Sequence, residues 1–323
     1  MKKTAAILAV TISAASPSPA SAHAQQKTMS IGTGGTGGVY YPLGGAVANV
    51  LSKSLPNVQA TAEVTGGSVD NLKLIGAGKS ELGFTMADAA LDALQGEDKF
   101  KSGKLPLQAL LVRLSEPHAC GDGRRHRHRD SMADLKGKRV STGSPGGATE
   151  VMAFRVIEAA GLDKDKDMKR ERLGVAESVN AIKDRKIDAF FWVGGIPTAA
   201  VTDLAATPGV EDEADRPRRP GREDERQIRQ ALYARARSRR ARIPATTRTI
   251  RITEVWNLIV TGDKMSNEDA YTIVKTLVEK KADIVAVHKE AESFSLDNQV
   301  QERSPIPFHP GALKYFKEKG IGG

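Results

Sequence analysis

The feature that most constrains this chain is a repeated alternation. Short β-branched or aliphatic runs give way, through glycine-rich joints, to segments with a helical spacing of apolar residues. "MSIGTG", "VQATAEVT", "ELGFTMA" and "LQALLVRL" read as strands in the first half, and "GKRVSTG" and "IDAFFWV" in the second. The segments between them read as helices: "YYPLGGAVANVLSKSL" beginning near Pro42, "SVDNLKLIGAG", "ADAALDALQG", "GATEVMAFRVIEAAGL", "ESVNAIKD" and "PTAAVTDLAAT". Strands alternating with helices specify an α/β protein with mainly parallel sheets. "SVDNLKLIGAGKSELGF" is echoed by "SVNAIKDRKIDAFF", which leaves open either two lobes of similar plan or shared helix grammar. The C-terminal part breaks the rhythm. "RTIRITEVWNLIVTG" predicts one long strand or two, amphipathic helices follow, and "SPIPFHPGALKYFKEKG" predicts a proline-defined turn and a last helix.

The glycine joints carry the chemistry. Glycine lets backbone N–H groups converge and a ligand approach without a side chain in the way. A helix that starts just after such a loop adds unpaired N–H groups and the positive end of its dipole. "GTGGTGG", "TGGS", "TGSPGGATE" and "WVGGIP" each lie between a strand and a helix, where open α/β sheets bind ligands. Thr33, Thr36, Thr65, Ser68, Ser144 and Thr149 could add hydroxyl donors or could be ordinary helix caps. Gly32, Gly34 and Gly37 fit the dinucleotide pattern, but Lys53 and Ser54 stand where an acid is needed about 20 residues on. No Gly-Lys-Ser/Thr follows either, so no nucleotide cofactor is expected. His126 and His128 sit among arginines that repel a metal cation, and His309 in "PIPFHPG" reads as a turn residue. No nucleophile elbow or zinc-helix pair occurs, and neither a cofactor nor a metal is expected. Phe191 and one of Tyr40 and Tyr41 read as core; Trp192, just before Gly194 and Gly195, reads as a cleft wall against a ligand's hydrocarbon part.

With 323 residues the chain has length for two domains. Lys2 and Lys3, the apolar "TAAILAVTISAA" and the small residues of "PSPASAHAQQ" have the layout of a secretory signal over residues 1–24. With that signal, and Cys120 as the one cysteine, the mature protein is expected to be exported and free of disulfides, which suits a bacterial periplasm. The net charge of +9 is local rather than general. Residues 211–242 carry 11 arginines against 7 acids, and residues 118–130 carry 4 against 2, so a nucleic-acid role is not expected.

"IGTGGTGGVYYPLGGAVANVLSK", "TGGSVDNLKLIGAGKSELGF", "MADLKGKRVSTGSPGGATE", "IDAFFWVGGIPTAAVTDLAATPG" and "PIPFHPGALKYFKEKG" together resemble the TAXI family, the solute receptors of one class of TRAP (tripartite ATP-independent periplasmic) transporters. The resemblance implies a two-lobed periplasmic-binding-protein fold, type II-like, with the ligand in a cleft and closure by a hinge. It implies no enzyme activity, and delivery of a glutamate- or glutamine-like acid or a dicarboxylate to an ion-gradient-driven TRAP permease by what is expected to be a monomer. Carried over residue by residue, Thr33, Gly35, Thr36, Val39 and Tyr40 would line the cleft from the first loop. Gly67 and Ser68, and Ser144, Gly147 and Thr149, would meet the ligand from other helix ends, with Asp88 retained and Trp192 and Gly194 beside them. Met86 stands where the family often has a polar side chain, which favours a less polar ligand body. Lobe 1 would comprise residues 28–113 and 249–323, and lobe 2 residues 114–248.

Residues 115–131 and 211–242 lack this pattern. Dense Arg, Ala, Pro, His, Gly and Asp is what a GC-rich reading frame yields when shifted by one base, so these stretches read as out-of-frame sequence; translation of the DNA in the other frames decides it. Two further readings stand beside the receptor: an exported α/β enzyme acting on a small acid, and a basic surface-binding protein.

Overall fold

The computed structural model describes residues 26–118, 132–195, 198–207, 239–242 and 249–321. The expected signal (1–24) lies outside these residues, as do the stretches read as out-of-frame (115–131 and 211–242) apart from 115–118 and 239–242. The first half runs β1 (Lys27–Gly32), α1 (Tyr40–Ser54), β2 (Val58–Glu63), α2 (Ser68–Gly76), β3 (Leu82–Met86), α3 (Ala87–Gln95) and β4 (Leu107–His118). The second runs β5 (Arg139–Ser141), α4 (Ala148–Ala159), β6 (Lys169–Glu171), α5 (Val175–Lys183), β7 (Ala189–Phe190) and α6 (Ala199–Ala205). β8 (Arg239–Arg242), β9 (Thr249–Gly262), α7 (Asn267–Glu279), α8 (Lys281–Val285) and α9 (Pro310–Glu318) complete it.

Two sheets organise these elements. The larger has the order β2-β1-β3-β9-β4, with β8 paired to β9. β1 is parallel to β2 and β3, whereas β9 returns antiparallel between β3 and β4. The smaller is all parallel, in the order β6-β5-β7. Each half is therefore the same βαβαβ unit, with its first strand in the middle. The sequence echo belongs to this repeat but is offset by nearly a helical turn. Ser68 opens α2 and Val175 opens α5, so the counterpart of Ser178 is Asn71 rather than Ser68. Both fourth-position side chains reach back to the strand ends. Asn71 Nδ2 donates to the carbonyls of Thr33 and Phe84 at 2.7 Å each, and Ser178 Oγ donates to Ser141 Oγ at 2.9 Å.

The lobe boundary expected between residues 113 and 114 falls inside β4, which stays paired with β9 to His118. β6 is an element the sequence hid: "KRE" is a charged edge strand with no apolar alternation. Burial follows the two sheets. One large core joins Ile31, Leu43, Val47, Leu72, Phe84, Leu110 and Val260 to the C-terminal Ile273, Phe308 and Phe316. The small sheet has a core on each face, one with Val140, Ala153, Ile157 and Phe191, the other with Val179, Ile182, Phe190 and Leu204. His309 caps α9: its Nδ1 accepts from the Gly311 N–H at 3.1 Å, so its Nε2 carries the proton facing the Met265 carbonyl at 3.0 Å.

Arg139 on β5 grips Asp188, just before β7, with its backbone N–H and two guanidinium nitrogens at 2.8–3.1 Å. These hydrogen bonds hold the Asp188 carboxyl down to about 2, below the unperturbed value of about 3.9. A carboxylate depressed by folding contributes stability that is present above its unfolded value and is lost as pH falls through the folded one. Asp188→Asn is expected to flatten the loss of stability between about pH 4 and about pH 2, followed by urea unfolding; a slope as steep as in the parent protein contradicts this role.

Candidate functional site

Helix starts without a side-chain cap occur at α3, α6 and α8 as well, but those of the four helices that follow glycine loops in the two βαβαβ units share one cleft. The cap positions of α1, α2, α4 and α5 are Val39, Gly67, Gly147 and Gly174, and no side chain caps any of the four. By contrast, Ser266 caps α7 and His309 caps α9 with side-chain acceptors. An α-helix leaves its first N–H groups without helical partners. Here four such ends open onto one cleft between the lobes, a space of about 680 Å³ that includes room open to solvent.

Gly35, Val39 and Tyr40 line this cleft from the first loop, and Gly67 and Ser68 from the second. Ser144, Gly147 and Thr149 face them from the other lobe, with Trp192 and Gly194 beside them. The hydroxyls expected as caps do other things. Ser68 Oγ accepts from the Met86 N–H at 3.1 Å, and Thr149 Oγ1 accepts from the Val193 N–H at 3.3 Å, so both fix neighbouring backbone. Three expected positions do not line the cleft. Thr33 is fully buried and its hydroxyl donates to the Glu63 carbonyl at 2.5 Å; Thr36 is exposed; Asp88 is buried and engaged by Arg155.

Glycine is required where the lobes meet. Gly146 has φ +73°, and a Cβ there would sit 1.9 Å from Asp70 Oδ1; at Gly66 it would lie 2.1 Å from the Pro145 carbonyl oxygen. The Asp70 N–H donates to the Gly146 carbonyl at 3.1 Å, so α2 already lends one first-turn amide to the opposite lobe. The cleft is thus seen in a closed arrangement.

The wall is apolar and the floor polar. Trp192 donates Nε1–H to Thr198 Oγ1 at 3.0 Å, and its ring lies against Gly38 and Gly194. Met86 lines the cleft and packs with Ala87 on Met152 of α4. At the floor the Tyr40 hydroxyl donates to Asn257 Oδ1, with the Tyr40 ring stacked on Phe84 at 5.3 Å. Burial pushes the Tyr40 phenol well above its usual range, opposed by Arg113, so it stays protonated. Arg113 itself is buried beside Asn257 in the ladder and pairs with Glu290 at 2.9 Å. The sequence reading missed Asn257, Gly174 and Val193 as lining residues; the lone arginine in "LQALLVRL" was a signal for Arg113. Among the described residues that line the cleft none is Asp, Glu, His, Lys, Arg or Cys. No group of three His, Cys, Asp or Glu able to hold a metal occurs among the described residues.

The comparisons extend this picture. A structure from Bordetella bronchiseptica RB50 matches with TM-score 0.50 at 16% identity, over 90% of this chain and 88% of that one. The alkanesulfonate-binding protein SsuA from Xanthomonas axonopodis pv. citri, bound to MOPS, matches with TM-score 0.47 at 13% identity over 92% of each chain. A marine metagenome TRAP solute binding protein specific for pyroglutamate matches with TM-score 0.44 at 12% identity, over 92% of this chain and 91% of that one. The α/β fold in two lobes expected from the sequence is the fold of this chain, as its two sheets with their separate cores show. The model of the NMT1-like family matches residues 31–320, nearly the whole described molecule, and the chain belongs to that family.

Proposed function

We propose that the chain is a periplasmic solute receptor that binds a small carboxylate between its lobes and delivers it to an ion-gradient-driven TRAP permease. The observation that carries this reading is the set of uncapped helix starts on one cleft, α1 and α2 from one lobe and α4 and α5 from the other. Each such end favours an anion by about 0.3–1 kcal/mol when exposed and by up to ~2 kcal/mol when partly buried. Carboxylate oxygens would take the amides at Ser68 and Thr149, and the ligand's hydrocarbon part would lie on Val39, Met86 and Trp192. The candidates are glutamate- or glutamine-like acids and dicarboxylates. A ligand touching both lobes binds the closed state better and so shifts the population toward it. The receptor would act as a monomer of the TAXI type. The alternative, an exported α/β enzyme acting on a small acid, is distinguished from this reading by assaying turnover of the acid that binds.

A thermal-shift screen of amino acids, keto acids and dicarboxylates tests the ligand class. Ligand at a hundredfold excess over Kd stabilises by about 2.7 kcal/mol, so at least one acid is expected to raise Tm by several degrees. A cooperative melt that none of the acids moves contradicts the reading. Closure is tested separately. Gly146→Ala places a Cβ against Asp70 at a positive-φ position. It is expected to weaken binding of the active acid by roughly tenfold or more, on the scale of 1.4 kcal/mol per tenfold, in titration calorimetry. An unchanged Kd would show that the lobes need not meet there.

A further inference from the structure

α4 belongs to the smaller lobe through Ala153 and Ile157, yet its opposite face is docked on α3 of the larger one. The docking is charged in both directions. Arg155 of α4 donates Nη1–H to Asp88 Oδ2 at 2.9 Å, and Nη2–H to Asp92 Oδ2 at 2.7 Å and to Asp98 Oδ2 at 3.2 Å. Asp88 and Asp92 stand one turn apart on α3 and are both buried. In return Lys99 lies 3.9 Å from Glu150 of α4 and 5.0 Å from the centre of the Phe154 ring. Asp88 Oδ1 is buried with no hydrogen-bond partner among the described residues; backbone amides at the start of α3 assist the carboxylate, and Arg155 is its ion-pair partner among the described residues.

All three aspartates sit on one lobe and the guanidinium on the other. The pairing therefore exists only while the lobes are together. We infer that Arg155 is a positioning residue for the cleft: it clasps α3 across the lobe boundary and sets the fraction of molecules in which the helix starts of the two lobes face each other. The inference rests on the receptor reading for its purpose but not for its measurement. Without Arg155, closure buries carboxylates that have no counter-charge, a strongly unfavourable arrangement; opening returns them to water. Burial raises the Asp88 and Asp92 carboxyls, and Arg155 opposes that rise and favours their charged forms.

The test reads closure in the ligand-free protein. Spin labels are placed at the exposed turns after α2 and α5, through Lys79→Cys and Lys186→Cys in a Cys120→Ser background, and distances are measured by pulsed electron resonance. Arg155→Gln is expected to raise the open-to-closed ratio by about tenfold or more. Arg155→Lys, which keeps the charge but not the fork, is expected to fall between the two. Adding Asp88→Asn and Asp92→Asn to Arg155→Gln is expected to recover closed molecules by removing the buried charges, an outcome a merely structural role for Arg155 would not give. Circular dichroism confirms that each variant is folded. Identical distance distributions in the parent and Arg155→Gln overturn the inference, as does a triple variant no more closed than Arg155→Gln. No ligand enters the measurement, so a failed carboxylate screen and a failed clasp are separate results.

Discussion

The structure turns on the amides that every helix leaves unpaired at its start. A protein ordinarily satisfies them with a side chain, as Ser266 and His309 do here for α7 and α9. At α1, α2, α4 and α5 the cap position is valine or glycine, and the helix starts face a shared space instead, apart from the Asp70 amide of α2, which donates to the Gly146 carbonyl. Parallel βαβ topology puts these starts at the same ends of their strands, and the repeated order of the two units makes the starts face one another. The cost of leaving such groups uncapped is what makes the cleft attractive to a negative group that visits both sides.

Such an arrangement works only if two backbones approach closely. Gly66 and Gly146 allow that approach, because a Cβ at either would run into the opposite lobe. The approach is then framed by side chains of two kinds. Met86 and Ala87 against Met152 form an apolar contact between lobes, and Trp192 bridges to Gly38. Farther from the cleft, charge takes over, with Arg155 and Glu150 of α4 answered by Asp88, Asp92, Asp98 and Lys99. Apolar contact lets the lobes slide and part; charge pairs fix the orientation in which they meet.

Much of this was legible in the sequence, for identifiable reasons. Strand and helix alternation survives in apolar spacing, so the elements from β1 to α6 were found, except β6, whose charged residues lie on a sheet edge. The glycine loops announced exposed backbone. Side-chain destinations were less legible. Thr33 looked like a ligand donor, but its hydroxyl turns inward to the Glu63 carbonyl, 30 residues away. Asn257 reaches Tyr40 across 217 residues, and Arg155 reaches Asp88 across 67. No local pattern encodes such meetings, because they depend on how the return strand β9 enters the first sheet and how α4 docks on α3.

The central claim is that backbone amides of opposed helix starts hold the ligand. The most direct measurement is the backbone amide spectrum of the isotopically labelled protein, titrated with whichever acid stabilises it. The account predicts that the largest shifts fall together on Ser68, Val69, Ala148 and Thr149, saturating at one concentration. Shifts confined to one lobe, or centred on residues away from these helix starts, would contradict it.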